Sequence, residues 1–181
     1  ADRQATLASR VDRLDTLLFH KKLGSYKDKT IRIERLAARV AVALGADSSA
    51  TAAAVQAARL AKADLTTQMV REFTELQGTM GGIYAREEGL PETVWKAIGL
   101  HYLPIAVDGE AGPSAAQLGA AGPVWAVVSL ADKLDTIVGL FGVGERPTGS
   151  RDPYGLRRAA HGALLLDELV HRDSGFGGGA F

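Results

Sequence analysis

Apolar positions recur along this chain at helical spacing, and strand alternation is nearly absent. Leu7, Val11, Leu14 and Leu18 step by four, three and four, which predicts a first helix with one apolar face, closed by Gly24. A second helix is expected from about Asp28 to Leu44, with Ile33, Leu36, Val40 and Leu44 inward and Gly45 as its stop. Asp47 or Ser48 caps an alanine-rich third helix through Ala61. The fourth begins near Asp64, with Leu65, Met69, Phe73, Leu76 and Met80 as a buried stripe, so Phe73→Ala should open a cavity. Gly78, Gly81 and Gly82 predict a bend or a close backbone contact there. Pro91 opens a helix to about Tyr102. Residues Pro104–Gly122 read as a loop with one short helix at Ser114–Leu118. A long central helix follows over about Val124–Phe141, with Val127, Leu130, Leu134, Ile137 and Phe141 facing one way. Gly142–Pro153 is a loop, Tyr154–His171 the last helix, and residues 172–181 a mobile glycine-rich tail. The fold class expected is all-α: a single bundle of about six to eight helices over residues 1–171.

Composition adds bounds. The 181 residues suit one domain, and 46% hydrophobic with 23% charged residues is ordinary for a globular protein. Zero formal net charge argues against a general polyanion coat, though not against a local basic patch. Without cysteine there are no disulfides and no thiolate metal sites. The most apolar run, Pro123–Ala131, is too short to span a bilayer, and no signal peptide is visible. The chain opens on Ala1 and ends in GFGGGAF, so it is expected to be a piece of something longer.

Charge inside the apolar segments carries the chemistry. Asp64 stands where the third and fourth helices meet, and Asp132 and Asp135 share one face of the central helix, with Lys62 and Lys133 beside them. Two readings stay open. One is a carboxylate cluster that binds a metal or handles protons, joined by His20 and His101 from distant helices. The other is a structural network in which lysines and an arginine neutralise the aspartates and Asp64 caps a helix. The loop Gly142–Arg158 has no Walker lysine pattern. It gathers Arg146, Arg151, Arg157 and Arg158 around an Asp152-Pro153 helix start. These arginines read either as contacts to a phosphate backbone or acidic partner, or as a solvated helix face. His20, Lys21, Lys22, Lys27, Lys29 and Arg32 form a second basic stretch, expected to be a solvated corner.

The segments LLFHKKLGSYKDKTIRIERLA, LAKADLTTQMVREFTELQGTMGGIYA and LADKLDTIVGLFGVGERPTGSRDPYGLRRAAHG resemble the middle region of the beta subunit of bacterial two-subunit glycyl-tRNA synthetases. The resemblance runs from about Leu17 to Leu166. It implies membership of the HD-type helical superfamily, named for a metal-binding histidine–aspartate pair in phosphohydrolases. On that pattern Asp64 takes the doublet's aspartate, Asp132 the last aspartate, and His20 stands near the first histidine. Ala63 replaces the doublet histidine and Lys62 adds a positive charge beside it, so the resemblance implies a degenerate site with no metal, no catalytic residue and no cofactor in this region. Lys133 and Asp135 would belong to the structural network. The resemblance further implies a cytoplasmic aminoacyl-tRNA synthetase of protein biosynthesis. As a whole it uses ATP and magnesium, its alpha subunit forms the adenylate, and its partners are tRNA and that alpha subunit. This stretch alone should be inactive, lacking the other beta-subunit domains. It would hold tRNA or position the alpha subunit, with Arg146, Arg151, Arg157 and Arg158 as phosphate contacts. The alternatives are a metal-dependent HD-type phosphohydrolase and a purely structural helical spacer.

Overall fold

A computed structural model describes residues 2–104, 112–147, 152 and 154–172, with the side chains of 167–172 left aside. The expected mobile tail therefore lies almost wholly outside the described residues, as do Arg151 and part of the loop after Pro104. The helices are α1 (Leu7–Arg10), α2 (Tyr26–Ala43), α3 (Ser48–Leu60), α4 (Gln68–Glu72), α5 (Thr79–Glu87), α6 (Glu92–Leu100), α7 (Ala115–Leu118), α8 (Gly122–Gly142) and α9 (Leu156–Arg172). Six of them are nine residues or longer, so the fold is an all-α bundle. Among the described residues a single antiparallel hairpin, β1 (Leu18–His20) with β2 (Gly24–Ser25), interrupts it.

The starts of the helices are written in local chemistry. Ser25 and Asp28 form a reciprocal capping box at α2. Asp47 accepts from the Ala50 amide at α3, and Ser114 with Gln117 caps α7. Gly45, with φ of +70°, reverses the chain between α2 and α3. The core is rich in small residues: Ala37 and Ala41 of α2 and Ala54, Ala57 and Ala58 of α3 are buried together with Ile33, Val94 and Ile98. Alanine lets the helix axes approach closely. α8 touches α2, α3, α6 and α9 and so forms the centre of the bundle.

Three expectations are corrected. The first apolar stripe is not a continuous helix: α1 gives way to a 3-10 turn over Val11–Thr16 and then to the hairpin. Leu7 and Leu14 are buried, but Leu18 is 68% exposed. The Ser25 cap needs extended backbone before α2, and Gly24, at φ +84°, turns the chain sharply ahead of it. The fourth segment is likewise broken into a 3-10 turn at Ala63–Thr66, α4, a second 3-10 turn at Thr74–Leu76, and α5. Thr67 and Gly78 take non-helical backbone, and Thr67 caps α4. Phe73 is thereby 44% exposed, and truncating it opens no core cavity. On α8, Leu130, Leu134 and Ile137 are only partly buried and Phe141 faces solvent. The side turned inward carries Val124, Val128, Ala131 and Leu140, and with them Ser129, Asp132, Lys133 and Asp135. The polar residues occupy that side because cations from α2 and from the end of α3 meet them there.

At the α5–α6 crossing the expected close backbone contact is present. A Cβ on Gly82 would lie 2.7 Å from the Gly99 Cα.

Candidate functional site

The centre of the molecule is a buried ionic network joining four helices. Lys62, just beyond α3, is 1% exposed. Its ammonium donates to Asp132 Oδ2 of α8 at 2.7 Å and to His101 Nε2, at the end of α6, at 2.8 Å. It also lies 3.8 Å from the centre of the Tyr102 ring. His101 Nδ1 donates to the Ile98 carbonyl at 2.7 Å, which leaves Nε2 as the acceptor for Lys62. Burial, together with the Lys62 charge, lowers the His101 pKa to about 3, so the ring is neutral.

Asp132 is held from a second direction by Lys29 of α2, whose ammonium lies 3.0 Å from Oδ1 as an ion pair without hydrogen-bond alignment. Burial pushes the Asp132 carboxyl up, but Lys29 and Lys62 outweigh it and hold the group well below the usual carboxylate range. Lys29 also reaches Asp135 Oδ2 at 3.0 Å and Thr136 Oγ1 at 2.8 Å. Arg32, one turn on, grips Asp135 with Nε at 2.6 Å and donates to the Leu23 carbonyl at 2.9 Å. The same ion set ties the hairpin turn, α2 and α8 together.

Lys133 points the other way along α8. Its ammonium donates to Ser129 Oγ at 2.7 Å and to the carbonyls of His101, Tyr102 and Leu103 at 3.2–3.3 Å, satisfying the end of α6. Burial lowers its pKa to about 8. Gly162 of α9 sits directly over it: a Cβ there would come within 2.5 Å of Lys133 Cε and 2.9 Å of the Pro104 carbonyl oxygen.

Asp64 is separate from this set. Its Oδ2 accepts from the Gly78 and Gly81 amides at 2.7 and 3.1 Å, so the carboxylate caps α5 from a distant turn. Burial raises its pKa against the pull of those two amides. A Cβ on Gly81 would lie 3.2 Å from the same carboxyl group. Ala63 is buried and presents only a methyl group. His20 makes its bond elsewhere: Nδ1 accepts from the Lys22 amide at 3.1 Å and Nε2 meets Glu145 Oε1 at 3.0 Å, with Tyr154 edge-on to the ring. His20 thus ties the hairpin to the segment after α8.

A metal of the kind the HD pattern implies does not fit these residues. The doublet position lacks a donor atom, and a covalently held ammonium occupies the space between the Asp132 carboxylate and the His101 nitrogen.

The arginine cluster lies at the edge of this assembly. Asp152 accepts from the Leu156 and Arg157 amides at 2.7 and 2.9 Å and so organises the first turn of α9. Arg157 and Arg158, in that turn, are exposed and make no ion pair among the described residues. Arg146 is exposed, with its guanidinium 5.6 Å from the Phe141 ring centre. Arg151 lies outside the described residues.

Sequence reasoning missed Lys29 and Arg32, read as part of a solvated corner, and gave Tyr102 no role. A signal for the first two was present. Lys29 and Arg32 are three apart on one helix, as are Asp132 and Asp135 on another, so the two pairs match in register.

The model of the family described as "Glycyl-tRNA synthetase beta subunit" matches residues 1–170. The glycine–tRNA ligase beta subunit of Neisseria meningitidis serogroup B is 50% identical over 165 residues, 91% of this chain and 22% of the relative. That of Aromatoleum aromaticum is 52% identical over the same shares of the two chains. That of Phenylobacterium zucineum is 49% identical over 91% of this chain and 24% of the relative. The chain therefore spans under a quarter of the length of these curated relatives. A family match over nearly every residue, with half of the aligned positions identical, places the chain in the glycyl-tRNA synthetase beta subunit family.

Proposed function

We propose that this chain is an HD-like, non-catalytic module of a cytoplasmic glycine–tRNA ligase. In this reading it helps to hold tRNA, to position the alpha subunit, or both, while the complete enzyme attaches glycine using ATP and magnesium. The observation that carries the tRNA part is the pair Arg157 and Arg158. Both are exposed at the Asp152-capped start of α9 and make no ion pair among the described residues. Guanidinium groups presented on a rigid first turn suit phosphate oxygens. The non-catalytic part is supported by the Lys62 ammonium, which takes the place a catalytic cation would need.

The test uses the complete two-subunit enzyme. Replacing Arg157 and Arg158 by alanine should weaken tRNA binding and reduce the slope of log affinity against log salt by about 2, roughly 1 for each lost phosphate contact. Unchanged affinity and slope would overturn the assignment of these arginines. The competing phosphohydrolase reading requires a stoichiometric transition metal in the purified protein, which elemental analysis would detect.

A further inference from the structure

Above the buried network lies a cleft of about 470 Å³, within the size range of small-molecule sites. Its floor holds the Lys29, Lys62 and Lys133 side chains with Asp132 and the Tyr102 ring. Its walls include Phe19 and Tyr26 from the hairpin and the start of α2, Glu75 and Gln77 from the turn before α5, Tyr154 from the approach to α9 and Arg158 from its first turn.

Three properties of this cleft point to one ligand chemistry. The network beneath it carries excess positive charge: Lys29, Arg32 and Lys62 pair with Asp132 and Asp135, and among the described residues Lys133 binds only Ser129 and carbonyl oxygens. With Arg158 and Glu75 on the walls the cations still outnumber the carboxylates. The floor ammonium groups are already hydrogen-bonded, so they act on a ligand through their field. Donors with no hydrogen-bond partner among the described residues stand on the walls instead: the guanidinium of Arg158, the hydroxyls of Tyr26 and Tyr154, and the amide of Gln77. Finally, four aromatic rings line one cleft, which suits a flat ring system with a polar edge. The Phe19 and Tyr102 rings already lie against Lys29 and Lys62, but an anion alone would leave the faces of Tyr26 and Tyr154 unused, and a neutral ring would leave the positive excess unanswered. Glu75 repels a phosphate at its own position but can accept from a sugar hydroxyl or a base amino group.

We propose that this cleft binds a nucleotide, its base among the tyrosine rings and its phosphate beside Arg158. The same chemistry is offered by a free mononucleotide and by an unpaired nucleotide of an RNA strand. The pocket shares Arg158 with the tRNA contact proposed above, and filling it at Ala159 tells the two apart because both arginines stay in place.

The test is a calorimetric titration of the chain at low salt with adenosine 5′-monophosphate, adenosine and inorganic phosphate. The monophosphate should saturate one site, with adenosine and phosphate each at least about tenfold weaker. Arg158→Ala removes the phosphate partner, and Ala159→Trp fills the cleft without removing a charge. Each should weaken the monophosphate at least about tenfold at an unchanged unfolding midpoint. A short single-stranded RNA that displaces the monophosphate at lower concentration identifies the strand as the source. Displacement only at higher concentration identifies the free nucleotide. No saturable binding at millimolar monophosphate, or binding that survives both substitutions, would overturn the proposal. Loss of nucleotide binding in Ala159→Trp with tRNA affinity retained would separate the cleft from the arginine contact.

Discussion

A lysine buried to 1% exposure is unusual enough that its partners decide its effect. Lys62 lies between one carboxylate and one neutral imidazole, and removing it strands both. Lys62→Met should therefore destabilise the protein by about 3–5 kcal/mol, the usual cost of breaking a buried pair from one side. Denaturant unfolding measures this, and a loss under about 1 kcal/mol would show that Lys29 alone satisfies Asp132. His101 gives a pH signature. Its pKa is about 3 when folded against an ordinary value of 6.5, so the unfolded chain binds the extra proton between those values. Stability contributed by the neutral ring is thus present above about pH 6.5 and is lost as pH falls toward 3. The depressed carboxyl of Asp132 adds loss in the same direction below the ordinary aspartate range, whereas the raised Asp64 works against it. Comparison with His101→Gln isolates the ring. The wild-type slope should exceed that of the variant by up to about 1.4 kcal/mol per pH unit. Equal slopes would mean that His101 is already charged in the folded protein.

Helix by helix, the sequence is legible where caps are local and obscure where they are distant. Ser25 with Asp28, Asp47, Ser114 and Asp152 sit within a few residues of the amides they serve, and α2, α3, α7 and α9 begin close to where the sequence predicts. Asp64 serves amides 14 and 17 residues away, and periodicity cannot report such a contact. The break before α5 and the outward turn of Phe73 were hidden for that reason. The inward polar side of α8 was hidden by the same logic. Leu134 and Ile137 satisfy a hydrophobic stripe on paper, but Asp132 and Asp135 gain three cationic partners from the opposite side. The α5–α6 crossing yields an element-level prediction. Gly82→Ala forces a methyl group against the Gly99 backbone and should cost about 1–3 kcal/mol. Gly122→Ala meets open space at the start of α8 and should change stability by no more than about 0.5 kcal/mol. Matching unfolding midpoints for the two variants would show that the helices can separate without penalty.

At the scale of the whole molecule, zero net charge means that no long-range attraction draws nucleic acid to the chain. Any such contact has to be local, and under the function proposed above the exposed first turn of α9 counts for more than the number of lysines. The basic corner that the sequence suggested is partly consumed indoors, since Lys29 and Arg32 are committed to α8, and Lys27 pairs at the surface with Asp12 at 2.9 Å. Among the described residues no helix is long and apolar enough to cross a membrane. The ammonium at the centre has a last consequence. An ion that arrives with the polypeptide cannot be scavenged, exchanged for a wrong element or titrated by citrate. Incubation with a strong chelator should leave the melting temperature where it was, and a drop would reveal a dependence on inorganic supply that Lys62 ought to have abolished. Ribosomal synthesis alone would stock this site, in plenty and in mineral famine alike.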